Sequence, residues 1–196
     1  MVGIVIFTLG FLGAYLLIQS ASNASLRSRD EIIGANIMRE QIELLKNMRD
    51  TNWIQFRTWD SIELAKPSIE SDTSLHSGSF YSITNNYAAG RSLHIEKIDL
   101  PSLSMSGLTQ EFQKDHSAIR LCTDSLGRYV HDCTGTNTRT SYGSFLEVEP
   151  LVTTNTVTNT PIAVDRAYKV TVFFVSFSTG YRLTSMSTII TDWKNQ

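Results

Sequence analysis

The sequence predicts an α+β protein in which one long N-terminal helix packs on a mainly antiparallel β-sheet head. Three observations carry this expectation. No charged side chain occurs from Met1 to Leu26. A proline-free amphipathic pattern then continues to Trp53. Beyond it, short apolar runs separated by Ser, Asn and Gly clusters lead into two closing segments of strand character. The chain therefore divides into residues 1–53, a membrane or filament-core helix, and residues 54–196, a globular β-rich head.

The first element opens with MVGIVIFTLGFLGAYLLI, where Thr8 is the one hydroxyl before Tyr15. At helical rise these residues span ~27 Å, slightly less than a ~30 Å hydrocarbon core. A secretory signal would carry a basic stretch ahead of the apolar run. An ordinary anchor would carry a positive flank on its cytoplasmic side. Neither precedes Met1, so the expectation is that a few residues of the natural start lie before it. Gly3, Gly10 and Gly13 permit close helix approach. Each also lowers helix propensity by ~1 kcal/mol relative to alanine, so loosening is expected around Gly10 and Gly13.

The second half of the helix is apolar on one side only. Ile33, Ile37, Gln41, Leu44 and Met48 recur every three or four residues, and Gly34, Met38, Ile42 and Leu45 widen the stripe. Asn36, Arg39, Glu43, Lys46, Asn47 and Asp50 fall opposite, with Arg39–Glu43 and Lys46–Asp50 at the i,i+4 spacing. The whole makes a rod of ~80 Å. A head can bury the amphipathic half, whereas the apolar third needs lipid or other copies of itself. Ile4, Phe7, Phe11, Tyr15 and Ile18, with Ile33, Ile37, Leu44 and Met48, are the candidate residues for helix packing in membrane or filament. A single membrane anchor is the plainer reading.

In the head, Trp53, Phe56 and Trp59 are expected to form a collar against the rod. Residues 68–90 read as a loop with a short strand at 80–84. Further strands are expected at 92–98, 118–122, 128–133 and 144–148, and most strongly at 168–177 and 182–190, joined by a turn at 178–181. Val170, Val172 and Phe174 alternate with Thr171, Phe173 and Val175, so both faces are largely apolar, as in a central strand. Cys122 and Cys133 are spaced to close a short disulfide loop worth roughly 3 kcal/mol; two buried free thiols are the other reading. A membrane segment favours the disulfide and a head outside the cytosol, since such bonds persist in oxidising compartments. Residues 153–160, TTNTVTNT, read as a solvated strip. On a surface filament its Thr153, Thr154, Thr156, Thr158 and Thr160 are candidate O-glycosylation positions.

Several function classes are disfavoured. A net charge of -2 and a pI near 6.1 give no electrostatic footprint for nucleic acid. His76, His94, His116 and His131 show no metal-ligand spacing, and no nucleotide loop or nucleophile elbow occurs. Asp124 and Asp132 lack the dense pattern of calcium loops. Asp192 and Trp193 read as a surface carboxylate and a packed aromatic. No catalytic, cofactor or metal site is expected, and the chain reads as a non-enzyme.

Three segments resemble the type IV pilin superfamily, which includes the pseudopilins of type II secretion. VGIVIFTLGFLGAYLLIQ resembles the interior of that family's hydrophobic helix. ANIMREQIELLKNMRDTNW, residues 35–53, resembles a segment of minor-pilin-like sequences, and STIITDWK, residues 187–194, resembles their closing strand. The family's processing signature is absent at Phe7-Thr8-Leu9, where Ile6 precedes and Gly10-Phe11 follow. The resemblance implies a customary glutamate and a methylated terminus just ahead of Met1. It further implies a subunit held in the cytoplasmic membrane before assembly, handled by pilus machinery and built into an extracellular cell-surface fimbrium that serves, for example, in adhesion. The alternatives are a minor pilin or pseudopilin that primes or caps assembly, and a single-span membrane-anchored binding module.

Overall fold

The computed structural model describes residues 2–62, 74–86, 92–100, 102–156, 159–178 and 180–192. Within these, the side chains of Val2, Ile4, Val5, Ile6, Leu9, Asn85, Asn86, Ser92 and His94 are not described, and Thr158 and Trp193 lie outside the described residues. The fold is α+β: an N-terminal helix, α1 (Val2–Ile54), against a curled antiparallel sheet. The helix is continuous through Gly10 and Gly13, contrary to the loosening expected there. Glycine alone weakens a helix without breaking it when nothing competes for the backbone groups, and a Cβ at either position would meet open space.

α1 ends in a Schellman motif. Arg57 N–H donates to the Asn52 carbonyl at 2.8 Å and Phe56 N–H to that of Trp53 at 3.2 Å. The left-handed position, usually glycine, is Phe56 at φ 56°. The expected aromatic collar is thereby corrected. Trp59 is buried and sits 5.1 Å from the Tyr168 ring, and Trp53 is half-buried. Phe56 is 91% exposed because the reversal of the chain turns it outward.

The strands, in chain order, are β1 (Ser79–Asn86), β2 (Ser92–Ile98), β3 (Arg120–Thr123), β4 (Tyr129–Val130), β5 (Thr138–Thr154), β6 (Pro161–Ser176) and β7 (Arg182–Thr191). All the pairings are antiparallel. The long β5 organises them: β1 and β3 pair along one of its edges, β6 along the other, and β7 lies beyond β6. A second helix, α2 (Met105–Gln113), for which the sequence reading offers no element, is capped by Ser104 accepting from Gly107 N–H.

Two cores explain why β6 is apolar on both faces. Val170, Val172 and Phe174 point to α1, where Ile37, Leu45 and Met48 cover them. Phe173 and Val175 point the other way, onto Phe145 and the α2 residues Leu108 and Phe112. Gly34 lets α1 lie against the sheet, because a Cβ there would sit 2.5 Å from the Phe174 ring.

Beyond the sheet body, β5 and β6 continue as a two-stranded ribbon in which Val152 pairs with Ala163 and Thr153 with Ile162. β7 begins to pair only at Ala167. The strip expected to be a loop is thus partly strand: Thr153 and Thr154 close β5, and Thr156 and Thr160 sit in the reversal, all four exposed. Cross-strand bonding overrides a composition that by itself favours a loop. At the ribbon base Arg166, at φ 56°, forms an ion pair with Asp192. Asp192 is 4% exposed, so the surface carboxylate read from sequence is a buried one. A disulfide joins Cys122 on β3 to Cys133 just past β4, with Cα atoms 5.3 Å apart.

Candidate assembly surface

The head grips only the second half of α1. Burial there recurs at helical spacing, with Asp30, Gly34, Ile37, Gln41, Leu45 and Met48 turned inward. From Gly10 to Arg29 every residue is exposed. Phe7, Phe11, Leu17 and Ile18 are 69–73% exposed, and Leu12, Tyr15 and Leu16 are more than half exposed. The helix therefore leaves the head as a bare apolar stalk. Among the described residues, no helix is long and apolar enough to cross a membrane. The stretch expected to do so, residues 1–18, includes Met1 and five side chains outside the description, Ile4 among them.

The candidate packing residues separate into two groups. Ile37 and Met48 are buried in the chain's own core, and Ile33 and Leu44 are half-buried against the same cluster. Burial in the chain's own core removes Ile37 and Met48 from the surface that other helices could reach, while Ile33 and Leu44 rest on that core and keep part of their surface exposed. Phe7, Phe11, Tyr15 and Ile18 occupy another side of the helix. At 3.6 residues per turn their line lies roughly 130° around the axis from the buried line of Asp30, Gly34, Gln41 and Leu45. It continues instead into Arg29, Ile32, Asn36, Glu40 and Glu43, all exposed on the side of α1 that faces away from the sheet.

The junction between stalk and head is polar and closely bonded. Asp30, 5% exposed, accepts from Tyr142 Oη at 2.8 Å, from Ser176 Oγ at 2.9 Å and from Ser178 Oγ. Burial pushes its carboxyl up, but the three hydroxyls and the charge of Arg182 outweigh that and hold it below the ordinary value. Burial and the Asp30 carboxylate together push the Tyr142 phenol up to about 12. One residue on, Glu31 accepts from Arg182 Nη1 at 2.6 Å. Further along the helix Gln41 Nε2 donates to Ser144 Oγ. These bonds join α1 to β5, β6 and the start of β7, fixing the direction in which the stalk leaves. Sequence reasoning missed Asp30. Its signal was present in the spacing, since a carboxylate four residues before Gly34 and seven before Ile37 falls on the buried stripe.

Other expected features lie elsewhere. The helix ion pairs differ from the i,i+4 expectation: Lys46 contacts Glu43 at 3.2 Å and Arg49 contacts Asp50 at 2.9 Å. In the disulfide loop, Asp124 binds the Arg128 guanidinium at 2.6 Å and caps the Leu126 and Arg128 N–H groups. Asp132 accepts from Thr134. Both carboxyls are held below their ordinary values, Asp124 chiefly by its bond from the Arg128 side chain and Asp132 chiefly by its bond from the Thr134 side chain. Among the described residues no cluster of three or more His, Cys, Asp or Glu side chains could hold a metal ion. Comparison with protein-family models, with curated proteins and with solved structures finds no match for the chain.

Proposed function

We propose that the chain is a structural subunit of an extracellular, type IV pilus-like filament, with a pilin-like arrangement of rod and head. It is held in the membrane by its apolar helix until that helix joins those of other copies. The observation that carries this reading is the bare stalk, stiffly continuous with a helix that its own head secures. Seven large apolar side chains on the stalk, at roughly 1.5–3 kcal/mol each when fully buried, represent on the order of 10 kcal/mol of unrealised burial. That is comparable with the whole stability of a domain, about 5–15 kcal/mol, so water is not a tenable resting place for the stalk. Moving it from lipid to other stalks yields little further hydrophobic gain, and side-chain packing between helices must supply the stability of assembly. The heads, each closed by its own two cores and its disulfide, then tile the outside. The Thr-bearing tip of the ribbon is the position where O-linked sugar fits this arrangement.

Electron microscopy of sheared cell-surface material, with mass spectrometry for this chain, is the direct test. The chain is expected in fibres, and its relative abundance there separates a main subunit from one that primes or caps assembly. Phe11→Asp is expected to abolish assembly and leave the head folded, as judged by circular dichroism and by an intact disulfide. Normal fibres from that variant, or a stable solitary monomer with ligand affinity, would sink the proposal and favour a membrane-anchored binding module.

A further inference from the structure

Self-assembly through the stalk requires a register between copies, and the outward line of α1 carries the information for one. Along this line come first the large apolar residues Phe7, Phe11, Tyr15 and Ile18. Small Ala21 and Ser25 follow, then the cation Arg29, and then Ile32 with the acids Glu40 and Glu43. Every one of these positions is exposed, and at head level they lie on the side of the helix that the sheet leaves open. Glu43 keeps a 3.2 Å contact with Lys46, whose ammonium lies toward the flank of the line, and its side chain remains 69% exposed.

We infer that two copies dock in parallel, the apolar line of one stalk lying along residues 21–32 on the outward line of the other, displaced by about fourteen residues or ~21 Å. In this register Arg29 of the upper copy meets Glu43 of the lower. Ile18 meets Ile32. Phe7 and Phe11 fall over Ala21 and Ser25, a match of large to small, and Tyr15 lies over the guanidinium of Arg29, a cation–π arrangement. Two other registers fail on the same residues. With no displacement, Arg29 opposes Arg29 and Glu43 opposes Glu43, and like charges facing each other are costly. A seven-residue shift sets Glu43 against Asp50, Ile32 against Arg39 and Ile18 against Ser25. The parallel sense follows from the stalks, whose apolar ends must share one dry environment. The contact is heterologous: it leaves the Phe7–Ile18 line of the lower copy open below and the Ile32–Glu43 line of the upper copy open above, so further copies can add where a closed dimer could not.

This inference rests on the self-assembly reading, and the test separates the two. Full-length chain in mild detergent is assembled by detergent removal. Single-cysteine variants Ile18→Cys and Ile32→Cys are mixed and joined with a short bismaleimide, which spares the disulfide-bonded Cys122 and Cys133. Crosslinked dimer is expected at least about five-fold above that from Ile18→Cys mixed with Asn47→Cys, which lies on the same face outside the register. In parallel, Arg29→Glu is expected to raise the concentration needed for association on the order of ten-fold, and adding Glu43→Arg in the same chain to restore it. Assembly in which the 18–47 pair links as well as the 18–32 pair, or in which the double variant stays as impaired as the single one, overturns the register and leaves the self-assembly reading standing. A wild-type chain that never associates overturns both.

Discussion

Phe56 occupies a backbone conformation that L side chains reach at a cost of about 1–2 kcal/mol. It is 91% exposed, so hydrophobic burial does little to offset that cost. Phe56→Gly is therefore expected to stabilise the chain by about 1 kcal/mol, read as a higher denaturant midpoint for the full chain in mild detergent. Asp30 is the opposite case, a charge held in place by its surroundings. Its carboxyl is depressed in the folded state, so its stabilisation is complete above the ordinary carboxyl range near pH 4 and is lost as pH falls through the lower folded value. Asp30→Asn is expected to cost on the order of 2–3 kcal/mol at neutral pH, since the amide cannot accept all three hydroxyls. The variant should also lose less stability than wild type on acidification from pH 5 to pH 2. An equal acid sensitivity in the two proteins would remove Asp30 from the account.

At the level of elements, the approach of α1 to β6 depends on one missing side chain. The Cβ of Gly34→Val would enter the Phe174 ring, which is 3% exposed and has the Tyr142 ring 5.5 Å away, so it has no room to yield. The variant is expected to lose about 2–3 kcal/mol, whereas Asn36→Ala on the outward side should stay within about 0.5 kcal/mol of wild type. A Gly34→Val protein of unchanged midpoint would mean that the helix stands further from the sheet than described. The same contact shows why β6 was legible as a central strand while β5 was not. β6 carries apolar residues on both faces and meets a core on each side. β5 buries apolar side chains only at Phe145, Leu146 and Val148, and its outer parts owe their strand geometry to β3 on one side and to the ribbon half of β6 on the other.

For the whole molecule, the division of labour between head and stalk makes a direct prediction. A chain beginning at Arg29 keeps the Asp30 junction, both cores and the disulfide, and loses the bare apolar surface. It is expected to be folded and monomeric without detergent by light scattering, whereas the full chain is expected to associate. Association of the shortened chain to the same extent would move the assembly surface to the head, with the exposed Val152 and Ile162 of the ribbon as the first place to look.

The sequence by itself determined the features that follow from local periodicity. These are the extent of the helix, the inward stripe through Ile37 and Met48, the apolar stalk, the two closing strands, and a cysteine spacing suited to a short loop. Each is written in residues close together along the chain, where 3.6- or 2-residue repeats can be read directly. Only the tertiary structure decided which residues far apart meet. It placed Asp30 beneath Tyr142 and Ser176, set α2 over the second face of the sheet, and carried Thr153 and Thr154 into a strand. The Asp30 bonds span more than a hundred residues and the α2 contacts several tens, separations that no helical or strand repeat covers, while the Thr153–Thr154 strand depends on its pairing with Pro161 and Ile162.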